Sequence, residues 1–343
     1  MKQAVMMKPH LIKFVDIKIN EPKDNEVLLK VMKIGVCGSD IHVWHGKHPY
    51  VEYPVVQGHE VSCIVEKIGR NVENVSVGDK VTVQPQIVCN KCLPCRTGRY
   101  NICQNLKVMG FQTTGLASEY FITDANKVIK LPDSVSLDDG IFIEPLAVAV
   151  HALRRSCINF KGANVLVLGA GTIGNLVAQT AKALGAKKVI ITDVSDYRLD
   201  VAKRSDINRC VNIKDEDLET IIISEFGEDR ADLILECVGV DSTISQAIAY
   251  ARKGSEIIIV GVFGDKAAVD LGLVQDRELT LIGTLMYRKE DFEIAIELVK
   301  QAKINFKPLL SRRFTFADYS QAYNLIDREG DKIMKILIDV QEE

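Results

Sequence analysis

The sequence predicts an α/β protein in which an irregular, β-rich domain precedes a doubly wound parallel sheet. Three observations predict it. At 343 residues the chain is long for one domain, and with 47% hydrophobic residues it can bury two cores. Residues 1–130 read as short β-rich runs broken by turn residues. From residue 164 onward, apolar runs alternate with helical stretches, the pattern of buried parallel strands and their crossover helices.

Composition narrows the function. Basic and acidic residues are balanced, 43 against 46, so no nucleic-acid or anionic-membrane partner is expected. The opening MKQAVMMKPHLIKF has no apolar core or small-residue cleavage site, and no apolar run reaches the length of a membrane span. Four of the nine cysteines crowd into CNKCLPCRTGRYNIC. Without an export signal, that crowding favours metal binding in a reducing compartment over disulfides, and a cytoplasmic location.

In the first domain, 27–31, 61–65 and 80–83 read as strands, punctuated by Asn71, Gly78-Asp79 and Pro85. Between the first two lies CGSDIHVWHGKHPYVEYPVVQGHE, from Cys37 to Glu60. Thiolate, imidazole and carboxylate are the ligand types of a catalytic zinc with one open position. Ser39, two residues past Cys37, has a hydroxyl that can take an alcohol's proton, and His42 can pass it to water. The same residues also fit a buried cysteine with surface histidines in a loop-rich domain. Cys89, Cys92, Cys95 and Cys103 can wrap a tetrahedral zinc in sulfur alone. Such a site has no room for substrate, so its role is structural.

At 144–155, EPLAVAVHALRR has apolar residues at helical spacing, with Pro145 suited to a first turn. Glu144 either favours the helix dipole there or is carried beside the metal. Next comes NVLVLGAGTIG, a strand running into Gly169, Gly171 and Gly174 in a GxGxxG turn that opens a helix. A second strand at 189–192 closes on Asp193. This is the setting in which backbone N–H groups meet a pyrophosphate and an acid meets the adenosine ribose. Apolar runs at 210–213, 231–239, 255–263 and 278–285 complete six strands. A helix near 290–302 and a β/α tail follow.

GVCGSDIH, GHE, the four-cysteine lobe, EPLAVAVHALRR and GAGTIG, in this order, resemble the zinc-dependent medium-chain dehydrogenases/reductases over the whole chain. The EPL…HALRR stretch resembles their polyol (sorbitol) branch. The resemblance implies a GroES-like catalytic domain at 1–147 with a zinc lobe at about 85–107, a Rossmann NAD-binding domain at 148–284, and a return to the first domain at 285–343. It implies two zinc ions per chain, Cys37, His59 and Glu60 as ligands of the catalytic one, and Glu144 as a further ligand or as the group that orients its water. Ser39 and His42 form the implied proton relay. For NAD it implies Gly169, Gly171, Ile173, Gly174, Asp193 and Arg198, with Val260, Gly261, Val262, Thr284, Leu285 and Met286.

Substrate contacts implied in the same way are Ser39, Val43, Glu144 and Tyr287. Sorbitol dehydrogenases carry tyrosine where this chain has Val43, and arginine where it has Met286. The wall is therefore expected to be less polar, which argues against sorbitol. Lys47, His45 and His48 are available to a carboxylate in the loop that follows. The expected activity is NAD-dependent oxidation of a secondary alcohol (sugar alcohol, diol or sugar acid) by a homo-oligomer, dimer or tetramer. The alternatives are a 2,3-butanediol, galactonate or gulonate, or threonine dehydrogenase, and, outside enzymes, an NAD(H)-binding regulator.

Overall fold

The computed structural model describes residues 1–341. They form two compact units. One comprises Met1–Glu144, Arg288–Ile296 and the chain from Leu310; the other comprises Pro145–Tyr287 and Glu297–Leu309. The segment after residue 285 is thus shared, with the helix Lys289–Lys300 passing from one unit to the other.

The first unit is organised around the long strand Glu26–Val36, in which nine of eleven residues are buried. Its sheet runs in the order 310–315, 335–339, 26–36, 60–68, 80–83, 128–130, and 120–124 also pairs with the long strand. The antiparallel register sets Gly35 opposite Glu60 and Val36 opposite Ile336. Cys37, where the strand ends, therefore comes to the same end of the sheet as His59 and Glu60. A Cβ on Gly35 would fall 2.6 Å from the Glu60 carboxylate, so the glycine makes room for that side chain.

The second unit holds a six-stranded parallel sheet. Its strands Asn164–Leu168, Lys188–Asp193, Arg209–Asn212, Leu233–Glu236, Glu256–Ile259 and Thr280–Gly283 lie in the order 3-2-1-4-5-6, counted along the chain. This is the doubly wound arrangement, whose ligand site lies beyond the carboxyl ends of the strands where the order reverses. Val165–Leu168 have no exposed surface, as a strand covered on both faces requires. The later strands are shorter than their apolar runs, because the ends of those runs leave the sheet as loops.

The C-terminal strand Lys335–Asp339 is fastened by charge. Arg313 Nε donates to Asp339 at 2.7 Å, its Nη2 reaches Asp138 at 2.6 Å, and Lys33 Nζ donates to Asp339 at 2.8 Å. Burial raises the Asp339 pKa, but the bonds from Arg313 and Lys33 outweigh it and hold the carboxyl below its usual range. A carboxylate depressed on folding stabilises above its unfolded pKa, and that contribution is lost as pH falls through the folded value. Urea unfolding of the wild type should therefore show stability falling steadily below about pH 4. Asp339→Asn should remove part of that slope; an unchanged slope would count against the assignment.

Candidate active site and metal centres

Cys37 is the N-cap of the helix Gly38–Trp44, with an extended backbone (φ −89°, ψ 156°). Asp40, one turn into the helix, is 1% exposed, and its Oδ2 accepts the Cys37 N–H at 3.0 Å. Its Oδ1 lies 3.6 Å from His59 Nδ1. One buried carboxylate therefore faces both the backbone of the cysteine and the ring of the histidine. Ligand atoms of Cys37, His59 and Glu60 lie within 4.8 Å of one another. Ser39 Oγ donates to Cys37 Sγ at 3.1 Å, and His42 is exposed at the far end of the same short helix.

Glu60 is also held from the other side. Lys335 Nζ donates to both of its oxygens, at 2.8 and 2.5 Å, and to the carbonyl of Val36 at 3.2 Å. Both partners are buried. Glu144 lies in the first turn of the helix Ile143–Arg154, and its charge acts on both His59 and Lys335. It is near the cluster without belonging to the close ligand set.

This donor set fits a divalent cation. Asp40, Glu60 and Glu144 are all buried beside a cysteine, with Lys335 as the buried cation among them. Buried carboxylates are costly unless compensated. The field is visible at His59: burial alone would lower its pKa, yet Asp40 and Cys37 drive it well above the ordinary value. A site that favours positive charge at an imidazole flanked by a thiol suits zinc.

The second centre fits zinc independently. Sγ atoms of Cys89, Cys92, Cys95 and Cys103 lie within 4.8 Å of one another, with Cys92 3.4 Å from Cys95 and 3.9 Å from Cys103. Tetrahedral zinc with Zn–S of about 2.3 Å requires sulfur separations of about 3.8 Å. Backbone N–H groups of Cys92, Cys89 and Asn105 donate to these sulfurs at 3.3–3.4 Å. Such bonds from Lys91 and Cys92 bring the Cys89 thiol down to about 6, favouring the thiolate that binds metal.

In the second unit each glycine of the fingerprint has its own reason. Gly169 has φ +100°, and a Cβ on Gly174 would sit 1.9 Å from the Gly169 carbonyl. Gly171 faces open space and caps the helix Thr172–Ala183 without any side-chain bond, so no side chain of the cap stands between an anion and the helix start. Asp193 accepts from the N–H groups of Ala170, Val194 and Ser195 at 2.8–2.9 Å. Those bonds fix its carboxylate at the strand end, and Arg198 Nη1 lies 3.9 Å from it. Thr284 Oγ1 is buried with no hydrogen-bond partner among the described residues, while Val262 and Leu285 are exposed. A dinucleotide needs both kinds of contact. Ile173, Val260 and Met286 are half-buried, and Met286 has φ +53°.

The expected substrate contacts fare differently. Val43 and Tyr287 have no exposed surface, and Val43 packs in the core of its unit, so neither presents an open wall. The polarity argument built on Val43 therefore does not hold. His45 is not available to a carboxylate, because its Nε2 lies 2.7 Å from Asp327. Sequence reasoning passed over Phe111, whose ring packs against His59 (5.0 Å) and stacks on His48 (4.7 Å). Burial, with His42 and His59 nearby, lowers the His48 pKa, so it offers a neutral hydrogen-bonding ring.

Comparisons with known proteins agree with this geometry. Residues 23–133 match the alcohol dehydrogenase GroES-like domain, and 172–301 match the zinc-binding dehydrogenase domain. An L-idonate 5-dehydrogenase of Vitis vinifera is 36% identical over 90% of this chain and 86% of its own. A 2-dehydro-3-deoxy-L-galactonate 5-dehydrogenase of Pseudoalteromonas atlantica is also 36% identical, over 94% of each. Galactitol-1-phosphate dehydrogenase from Escherichia coli superposes with a TM-score of 0.92 at 30% identity, covering 99% of this chain and all of that one. The chain belongs to the zinc-dependent medium-chain dehydrogenases. It is an oxidoreductase acting on CH–OH groups, with zinc and a nicotinamide dinucleotide as cofactors.

Metal analysis should find about two zinc ions per chain, as two separate ligand sets require. Cys37→Ser should lose one zinc and all turnover with the fold intact. Cys92→Ser should lose the other zinc and melt earlier. A Cys37→Ser enzyme with normal activity would contradict the division of roles.

Proposed function

We propose that this chain oxidises a secondary hydroxyl of a sugar acid or sugar alcohol with NAD, and that Ser39 and His42 carry the proton out. The observation that carries the reading is the meeting of Cys37, His59 and Glu60 at one sheet end, with the Ser39 hydroxyl 3.1 Å from the thiol. Zinc there would supply Lewis acidity that lowers the pKa of an alcohol hydroxyl, and the dinucleotide would accept the hydride. The protein supplies position. Ser39 takes the proton, and His42, about one helical turn on and open to solvent, passes it to water. Glu144, at the start of its helix and near the cluster, would help to hold and orient the substrate hydroxyl were zinc bound there. Phe111 and His48 line the approach, the first excluding water and the second donating to a neutral hydroxyl.

For the substrate, two curated relatives are named for sugar acids and others for D-xylulose reduction, which favours a sugar acid or a pentitol. NAD is favoured over NADP because the nearly buried Asp193 would face a 2′-phosphate as a like charge. Homo-oligomerisation is supported by the outer strand Thr280–Gly283, whose outer edge is unpaired among the described residues, and by the exposed Leu271. No helix among the described residues is long and apolar enough to cross a membrane, and a cytoplasmic location is part of the proposal.

A screen of NADH formation across L-idonate, galactonate, gulonate, xylitol, sorbitol, 2,3-butanediol and threonine tests the reading. A sugar acid or pentitol should lead; 2,3-butanediol or threonine leading instead would overturn the substrate class. NADH binding without turnover of any of these would instead favour a non-catalytic NAD(H)-binding protein. Asp193→Ala should raise NADP use relative to NAD; equal efficiency with both cofactors in the wild type would overturn the NAD assignment.

A further inference from the structure

Beneath the candidate catalytic metal site lies a chain of buried polar groups that the reaction itself does not use. Gln57, two residues before His59, is 2% exposed. Its Nε2 donates to the backbone carbonyl and to Oδ1 of Asp40, both at 3.1 Å. Its Oε1 accepts the hydroxyl of Tyr323 at 3.0 Å, and Tyr323 is wholly buried. Tyr323 sits on the helix Tyr319–Glu329 near the C-terminus.

The directions of these bonds are forced. The amide faces two acceptors of Asp40, its backbone carbonyl and Oδ1, so it turns its NH₂ toward them and its carbonyl away. The carbonyl is then satisfied by the Tyr323 O–H. The same Oδ1 that takes the amide proton is the oxygen 3.6 Å from His59 Nδ1, and Oδ2 takes the Cys37 N–H. The phenol therefore fixes the amide, the amide fixes the carboxylate, and the carboxylate faces both metal-ligand residues.

We infer that Gln57 and Tyr323 are positioning residues for the catalytic metal, holding Asp40 in the one orientation that presents His59 and Cys37 together. The inference rests on the metal reading of Cys37 and His59 given above. Groups that orient metal ligands typically matter about 10- to 100-fold in metal affinity or activity.

A built-in control separates this role from simple support of the C-terminal helix. That helix is also tied to the segment after Cys37 by Asp327, which accepts from Trp44 Nε1 at 2.9 Å and pairs with His45. Asp327→Asn weakens the same helix attachment without touching Gln57. Tyr323→Phe removes one hydroxyl while keeping the ring that packs 5.2 Å from Trp44.

The test uses the full-length enzyme loaded with zinc, and separately with cobalt at the catalytic site. Loss of zinc to a chelator is followed with the four-cysteine zinc as internal reference, and the visible cobalt spectrum is recorded. Tyr323→Phe and Gln57→Leu should release the catalytic metal about tenfold faster or more and shift the cobalt bands. Asp327→Asn should lower the melting temperature and leave both readouts within twofold of wild type. Variants at 57 and 323 matching wild type in both readouts would overturn the inference, as would an equal effect of Asp327→Asn. A wild type that takes up only the four-cysteine zinc would instead overturn the metal reading itself, and this inference with it.

Discussion

The pairing of Glu26–Val36 with Glu60–Ile68 is the constraint on which the rest depends. With Gly35 opposite Glu60, the residue after one strand and the residue before the other meet at one edge, which brings Cys37 to His59. A slip by one residue would turn Glu60 to the other face of the sheet and separate the donors. Two features hold the register there. Gly35 leaves space for the Glu60 carboxylate, and Lys335, brought in by the neighbouring strand, binds both of its oxygens. Removing one member of such a buried pair typically costs about 3–5 kcal/mol, because the other is left uncompensated. The ion pair is thus a reason for the last strand to be part of the catalytic unit.

The two metal centres are built on different principles. The lobe at Cys89–Cys103 gathers its ligands from one short segment, with backbone N–H groups turned onto sulfur, and needs little support from elsewhere. The centre at Cys37 and His59 draws on a helix start, two strands and the C-terminal region, and its ligands are oriented by buried polar side chains. A closed thiolate cage is suited to holding a lobe together. An open site that must bind, release and rebind substrate needs its ligands held from behind.

Much of this was legible in the chain itself. Short-range patterns carried it: the cysteine spacing, the glycine turn between strand and helix, and the alternation of apolar runs and helices. The six strands of the parallel sheet follow those runs, trimmed at their ends. What remained hidden depends on residues far apart in sequence. Lys335 is 275 positions from Glu60 and Tyr323 is 266 from Gln57, so no local pattern joins them. Asp40 stood inside a recognised motif, but its role appears only once the fold brings His59 to it. Val43 misled because alignment to a pocket position says nothing of whether the side chain is open to solvent, and here it is core.

The central claim is that the end of this sheet holds a metal between Cys37 and His59, distinct from the one in the cysteine lobe. Anomalous diffraction at the zinc edge, from crystals of protein purified without chelators, tests it most directly. The account requires two peaks per chain, one among Cys89, Cys92, Cys95 and Cys103, and one within bonding distance of Cys37 Sγ and a ring nitrogen of His59. A single peak in the cysteine lobe, with Cys37 and His59 bonded only to each other after zinc is added, would contradict it.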